Sequence, residues 1–121
     1  MQLDSRTTKL CIAGTQAEFS RDIESARRLF SDAWDAAADD CDAAMAAHYV
    51  AHLAPDPHEA LRWNLIALER GRLDPRAESF MGSLLVSLGG SYEALGQTSE
   101  AEHYFALASE RGVAHHREAI L

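Results

Sequence analysis

Three segments of the chain superimpose on one another: ESARRLFSDAWDAA from Glu24, HEALRWNLIALERG from His58 and SEAEHYFALASERG from Ser99. Ala26, Ala60 and Ala101 stand at equivalent places, followed three residues on by Leu29, Trp63 and Tyr104, and seven on by Ala33, Ala67 and Ala108. Small residues one or two turns apart let helices approach closely, and the large residue between them fills the gap between neighbouring hairpins. The first two alanines are 34 residues apart and the next two 41, so the second interval carries a seven-residue insertion. A chain with this recurrence is constrained to build from repeated helical hairpins, none of which buries its apolar face alone.

Helix signals dominate elsewhere too. Ala and Leu are abundant, β-branched residues are sparse, and no alternating run of strand length is bounded by turn residues. The clearest start is Asp56-Pro57-His58-Glu59: Asp56 caps, Pro57 sits where a missing N–H costs little, and Glu59 answers the cap. Gly71 is expected to end that helix. Asp74-Pro75 opens a long helix through Leu95, stopped at Gly96 by left-handed backbone, and a last helix runs from about Ser99 to Arg111 and closes at Gly112. Upstream, Ser20 is the expected cap of a helix reaching about Ala38. The acidic turn Asp39-Asp40 follows, and a helix from Cys41 to about Leu53 leads into Pro55, whereas Ser5 to Ala17 is weaker helix material. These make roughly six helices joined by short turns, an all-α chain of antiparallel neighbours in a single domain over residues 1–121. The insertion, 75–81, is expected to extend the first helix of the last hairpin backwards, with Leu84, Leu85, Leu88 and Tyr92 on one stripe and an edge projecting toward a partner.

With 121 residues, 47% of them hydrophobic and 25% charged, the chain has room for one soluble globular domain with a buried core. The balance of 11 basic against 19 acidic residues gives a formal charge of -8, which repels phosphate backbones and anionic membranes, so neither nucleic acid nor membrane is an expected partner. Cys11 and Cys41 are too few for a disulfide scaffold or for a zinc site built on paired Cys-x-x-Cys spacing, and read as reduced, buried thiols. The amino-terminal MQLDSRTTKLCIAG has no sustained apolar core, and nowhere do ~20 apolar residues run together, so a cytoplasmic location is expected.

A 34-residue helix-turn-helix period with this pattern of small and large residues resembles the tetratricopeptide repeat (TPR). Leu88 to Ala108 carries the resemblance best: Leu88-Gly89, Tyr92, Gly96, Ala101, Phe105 and Ala108 match the family's Leu-Gly, Tyr, Gly, Ala, Phe and Ala signature at its spacing. Leu85 stands where the family usually has Trp, and Val113 replaces its terminal Pro. The first unit keeps Gly14, Ala26, Phe30 and Ala33 at the same spacings. In the second, strict register puts His48 where a small residue must meet the partner helix; one extra residue in the Pro55 loop moves Ala47 there and Val50 to the Tyr position, the register preferred on packing grounds. The repeats then fall at approximately 7–40, 41–74 and 82–115. The resemblance implies a right-handed superhelix of about three stacked antiparallel hairpins, a TPR-like α-solenoid.

Proteins of that family are mostly scaffolds, so the resemblance implies a concave groove formed by the first helices, holding a peptide or partner helix, and no cofactor. The groove-facing candidates are Thr15 and Glu18 in the first unit, His48 and His52 in the second, and Val86, Gly90 and Glu93 in the third. Family members that clamp a C-terminal carboxylate use Lys, Arg and Asn on these faces; this chain has none there, so a neutral or basic protein segment is the expected partner rather than an acidic one. His48 and His52 are four residues apart, a spacing that can point two imidazoles at one metal ion. No HExxH pattern surrounds them and no third ligand is evident, so they read as hydrogen-bonding or peptide-lining residues and no metal is assigned. His115-His116 reads as a solvated pair.

Asp39, Asp40 and Asp42 straddle a helix start, where carboxylates complement the free N–H groups, and capping is favoured over catalysis. The chain has no phosphate loop, nucleophile elbow or supported Ser/His/Asp set, so no catalytic residue and no enzyme activity are expected. Trp34 and Trp63 read as interhelical core. The alternative function is homo-oligomerisation, with Phe80 to Leu88 and the tail VAHHREAIL offering apolar side chains for a homodimer.

Overall fold

The computed structural model describes residues 5–112, and every regular element among them is helical. Six α-helices follow in order: α1 (Arg6–Phe19), α2 (Ile23–Asp35), α3 (Asp40–His52), α4 (Pro57–Arg72), α5 (Glu78–Ala94) and α6 (Thr98–Glu110), with a 3-10 turn, Pro75–Ala77, before α5. They pair as the hairpins α1/α2, α3/α4 and α5/α6, and the second helix of one hairpin packs on the first helix of the next, α2 on α3 and α4 on α5. No helix among the described residues is long and apolar enough to cross a membrane. The tail from Val113, including His115-His116, lies outside the described residues.

Capping side chains set the period. Ser5 Oγ accepts from the Thr8 N–H at 3.0 Å, and Asp39 Oδ1 accepts from the Asp42 N–H at 2.8 Å. Asp22 and Asp56 cap α2 and α4 in the same way, accepting from the Ser25 and His58 N–H groups at 3.2 Å each. Each such bond satisfies a donor that the helix itself cannot. Ser5 and Asp39 are 34 positions apart, as are Asp22 and Asp56, so the period is written in both helices of the first two hairpins.

Two expectations about the first hairpin need correction. Ser5 to Ala17 is no weak segment: with Ser5 as its cap, α1 runs for 14 residues. Ser20 does not start α2 but closes α1, its N–H donating to the Gln16 carbonyl at 3.1 Å, and Asp22 is the cap. Between them Arg21 takes the left-handed conformation, φ +63°, and the chain reverses; Gly96 takes φ +75° at the same place in the α5/α6 turn. The corresponding residue of the middle hairpin is Pro55, whose ring holds φ at about −65° and forbids that reversal. Accordingly α3 stops at His52, and its turn has four residues, 53–56, where the others have three, 20–22 and 95–97.

The longer turn therefore comes from an early helix end, not from an insertion that slips α3. His48, not Ala47, holds the place of Gly14 and Gly89. In the first and third hairpins that glycine lies under a phenylalanine ring: a Cβ on Gly14 would sit 2.4 Å from Phe30 Cε1, and one on Gly89 2.6 Å from Phe105 Cε1. The place of Phe30 and Phe105 in the middle hairpin belongs to Asn64. Large and small positions are exchanged there, an imidazole standing where a bare Cα stands elsewhere and an amide where a phenyl ring does. The preference for Ala47 failed because it took the large partner as given.

The main core is formed by Ala44, Ala47, Ala67, Leu68, Met81, Leu84, Leu85, Leu88 and Ala108, and a smaller cluster by Cys11, Ala33, Met45 and Ala46. Trp34 and Phe80 pack against both. Trp34 meets Trp63 edge to face at 5.1 Å, and Arg70 lies 5.6 Å over the Trp34 ring while binding Asp40 at 3.0 Å. Gly71 does not terminate α4; it is buried inside it, with a would-be Cβ 3.2 Å from both Leu84 Cδ1 and Met81 Cε, so it is there for close approach to α5. The extension of α5 does not project either. Phe80 packs inward, partly buried, and Met81, Leu84, Leu85 and Leu88 are buried.

Candidate interaction site

Two open hollows lie against the first helices of the hairpins. The larger, about 440 Å³, runs along α1 between Thr8, Cys11, Ile12, Thr15, Gln16 and Phe19, with Met45 and Tyr49 of α3 as its far wall. Its lining is mostly apolar, and its rim carries two large hydrophobic side chains in solvent, Ile12 at 50% exposure and Phe19 at 87%. Tyr49 is held in place by stacking on Phe30, ring centroids 5.0 Å apart. Burial, reinforced by the Asp42 carboxylate, pushes the Cys11 thiol up to about 12, so it stays protonated and is not a nucleophile at neutral pH.

The second hollow, about 300 Å³, lies between the end of α3, the start of α4 and α5. Asn64 Nδ2 donates to Ser91 Oγ at 2.7 Å and, over a longer 3.4 Å, to the Ser87 carbonyl, tying α4 to α5 beneath it. All three of those residues line the hollow, together with His52 and Gly90. A Cβ on Gly90 would meet nothing within 4 Å, so its backbone faces open space. Asn64 Oδ1 and His48 Nδ1 are the buried side-chain polar atoms left without a hydrogen-bond partner among the described residues. Both belong to the exchanged pair of the middle hairpin.

The structure brings Glu18 and His52 together across α1 and α3, His52 Nε2 lying 2.8 Å from Glu18 Oε2. With His52 protonated this is an ion pair whose side chains are 52% and 31% exposed, contributing about 1 kcal/mol at most. Thr15 lines the larger hollow, its hydroxyl donating to the Cys11 carbonyl at 2.9 Å. Val86 packs partly buried against the main core, and Glu93 is exposed on the last turn of α5. His48 is partly buried: burial, and secondarily His52, push its pKa down to about 4, so it is neutral at physiological pH. Its ring meets Tyr49 edge-on at 5.5 Å. Among the described residues no group of three metal-capable side chains forms.

The acidic turn is structural. Asp39 caps α3 through Oδ1 and binds Arg76 through Oδ2 at 2.9 Å, and Arg76 also holds Asp74 at 2.6 Å. Hydrogen bonds from Arg76 pull the Asp74 carboxyl down to about 2. Buried Asp42 accepts from the Ala38 N–H at 3.2 Å.

Sequence reasoning missed Ile12, Phe19, Met45, Tyr49, Asn64 and Ser91. A signal for the first group was present: Thr8, Ile12, Thr15 and Phe19 follow the four-three-four spacing of a helical stripe. Asn64 was visible as the residue that replaces Phe in the second repeat. No protein-family model matches the chain, and no curated protein or solved structure matches it either.

Proposed function

We propose that this chain is a non-enzymatic TPR-like interaction scaffold: three hairpins stacked as a right-handed superhelix, holding a neutral or basic peptide or partner helix along α1, α3 and α5. The observation that carries the reading is the pair of open hollows walled by those first helices, one apolar and one floored by hydrogen-bonding side chains. Sites of that make-up, apolar walls with a few placed polar groups, are where ligands lodge. The 34-residue spacing of the caps and the Gly14/Phe30 and Gly89/Phe105 pairs support the repeat assignment. The charge of -8, with Glu18 and Glu93 on the groove helices, favours a basic or neutral occupant over an acidic one.

Selection from a displayed library of random peptides tests the reading. Enriched peptides should be neutral or basic and should lose binding to Gly90→Phe, which fills the second hollow without touching the fold because open space lies there. Enrichment of acidic peptides, or binding indifferent to Gly90→Phe and to His52→Asp alike, would refute it.

A further inference from the structure

We propose that a second copy of this chain docks on the α1 face, the two α1 helices lying antiparallel across a two-fold axis. A two-fold contact requires one patch to be complementary to itself, carrying both the knob and the hole. This patch does: Phe19, 87% exposed, stands at the rim of the 440 Å³ apolar hollow that Thr8, Cys11 and Ile12 line at its other end.

The match extends to individual positions. When two copies of α1 are laid antiparallel about a point midway between Ala13 and Gly14, the six lining positions 8, 11, 12, 15, 16 and 19 map onto themselves. Phe19 then faces Thr8 of the second copy, Ile12 faces Thr15, and Gln16 faces the hollow over Cys11. Every pair sets a large side chain against a small one, the interdigitation that close packing needs. The four-three-four spacing of Thr8, Ile12, Thr15 and Phe19 is the seam of two helices crossing at a shallow angle.

The flanking charges agree. The same alignment sets Lys9 opposite Glu18 of the second copy, twice per dimer by symmetry. Lys9 is exposed and makes no ion pair among the described residues, and Glu18, partly buried beside Phe19, bonds His52 of its own chain through Oε2, which leaves Oε1 for the lysine across the axis. A peptide with an apolar anchor is the competing occupant. It accounts for the hollow, but not for the outward Phe19 or for a charge pattern that is complementary to itself. The contact fills the hollow along α1 and leaves the one at α4 and α5 to a peptide; Glu18 bonds His52 at the edge of that second hollow, so Lys9→Glu and Phe19→Asp are the variants that test the dimer apart from peptide binding there.

Sedimentation velocity on the full chain from about 1 to 200 µM should show a reversible monomer–dimer equilibrium. Lys9→Glu alone sets four carboxylates against one another across the axis, Glu18→Lys alone sets four ammonium groups there, and each should weaken the dimer about tenfold. Mixing the two variants restores both attractive pairs, so the mixture should form heterodimer as tightly as the unaltered chain. Phe19→Asp should abolish dimerisation. Lys9 and Phe19 are exposed and Glu18 is partly buried, and circular dichroism checks that the variants stay folded. A monomer at every concentration, a dimer indifferent to Phe19→Asp, or single-charge variants that fail to pair on mixing would each overturn the proposal.

Discussion

The exchange of large and small residues in the middle hairpin makes a quantitative prediction about stability. In the outer hairpins the ring leaves no room for even a methyl group opposite, since Cβ positions at Gly14 and Gly89 would lie 2.4 and 2.6 Å from Phe30 and Phe105. Asn64→Phe, made beside an intact His48, must therefore force the two helices apart, at a cost of about 3 kcal/mol, the upper end for overpacked cores. His48→Gly should cost roughly 1–2 kcal/mol: about 1 for glycine inside a helix, plus lost packing, less the gain from removing an unpartnered nitrogen. If the sites were independent, the double variant would lose about 4–5 kcal/mol. Because it recreates the pairing of the outer hairpins and removes both orphaned polar atoms, it should instead lie within about 1 kcal/mol of the unaltered chain, a coupling of about 3 kcal/mol. Urea denaturation followed by helical circular dichroism resolves this, since 3 kcal/mol moves the midpoint by about 1 M or more. Effects that add to within about 0.5 kcal/mol would show that residues 48 and 64 do not share one space, and the register argument would fail.

Other consequences are simpler to check. His48 protonates at about 4 in the folded chain but near 6.5 once exposed, so below about pH 6.5 the unfolded chain takes up a proton that the native one refuses. Stability should therefore fall by roughly 3 kcal/mol as pH drops from about 6.5 to 4, levelling below, and urea midpoints between about pH 7 and 5 should flatten in His48→Asn. Arg21, at φ +63°, bears the steric cost of a side chain in left-handed backbone. Arg21→Gly should raise the stability by about 0.5–1 kcal/mol despite its more flexible unfolded state, and an unchanged or lower melting temperature would contradict that account. With its thiol pushed up to about 12, Cys11 should react with a thiol reagent at neutral pH only through unfolding, so its labelling rate should rise steeply with urea; prompt labelling of the native chain would contradict the burial.

Much of the fold was legible wherever a residue can play only one local role. Asp56-Pro57 announced a helix start, Gly96 and Gly112 announced left-handed stops, and all three appear as expected, with φ +75° and +80° at the two glycines. The misreadings arose where two roles compete for one residue type. Gly71 looked like a stop and is a packing surface, because the space it vacates is needed by Met81 and Leu84. Ser20 looked like a cap and lost that role to Asp22, because the left-handed turn that precedes α2 is made by an arginine and left no local trace. Of the candidate site, the spacing of first-helix residues placed Thr15, Glu18, His52 and Gly90 on or beside the hollows. His48 differs from that set in being partly buried with its Nδ1 unpartnered, which the spacing alone does not reveal. Phe19 and Ile12 went unnoticed because α1 is short of the helix formers that draw attention to a stripe.

The position of Phe80 bears on how such a chain comes apart. In a stack whose units touch only their neighbours, each hairpin can melt almost on its own and the ends fray first. Phe80 belongs to the third hairpin, yet it packs against the Cys11, Ala33, Met45 and Ala46 cluster contributed by the first two, as well as against the main core. The third hairpin cannot leave without uncovering the joint between the other two. One ring, carried on the segment that interrupts the 34-residue period, thus ties the third hairpin to both of the others, a link that favours their melting together over separate fraying.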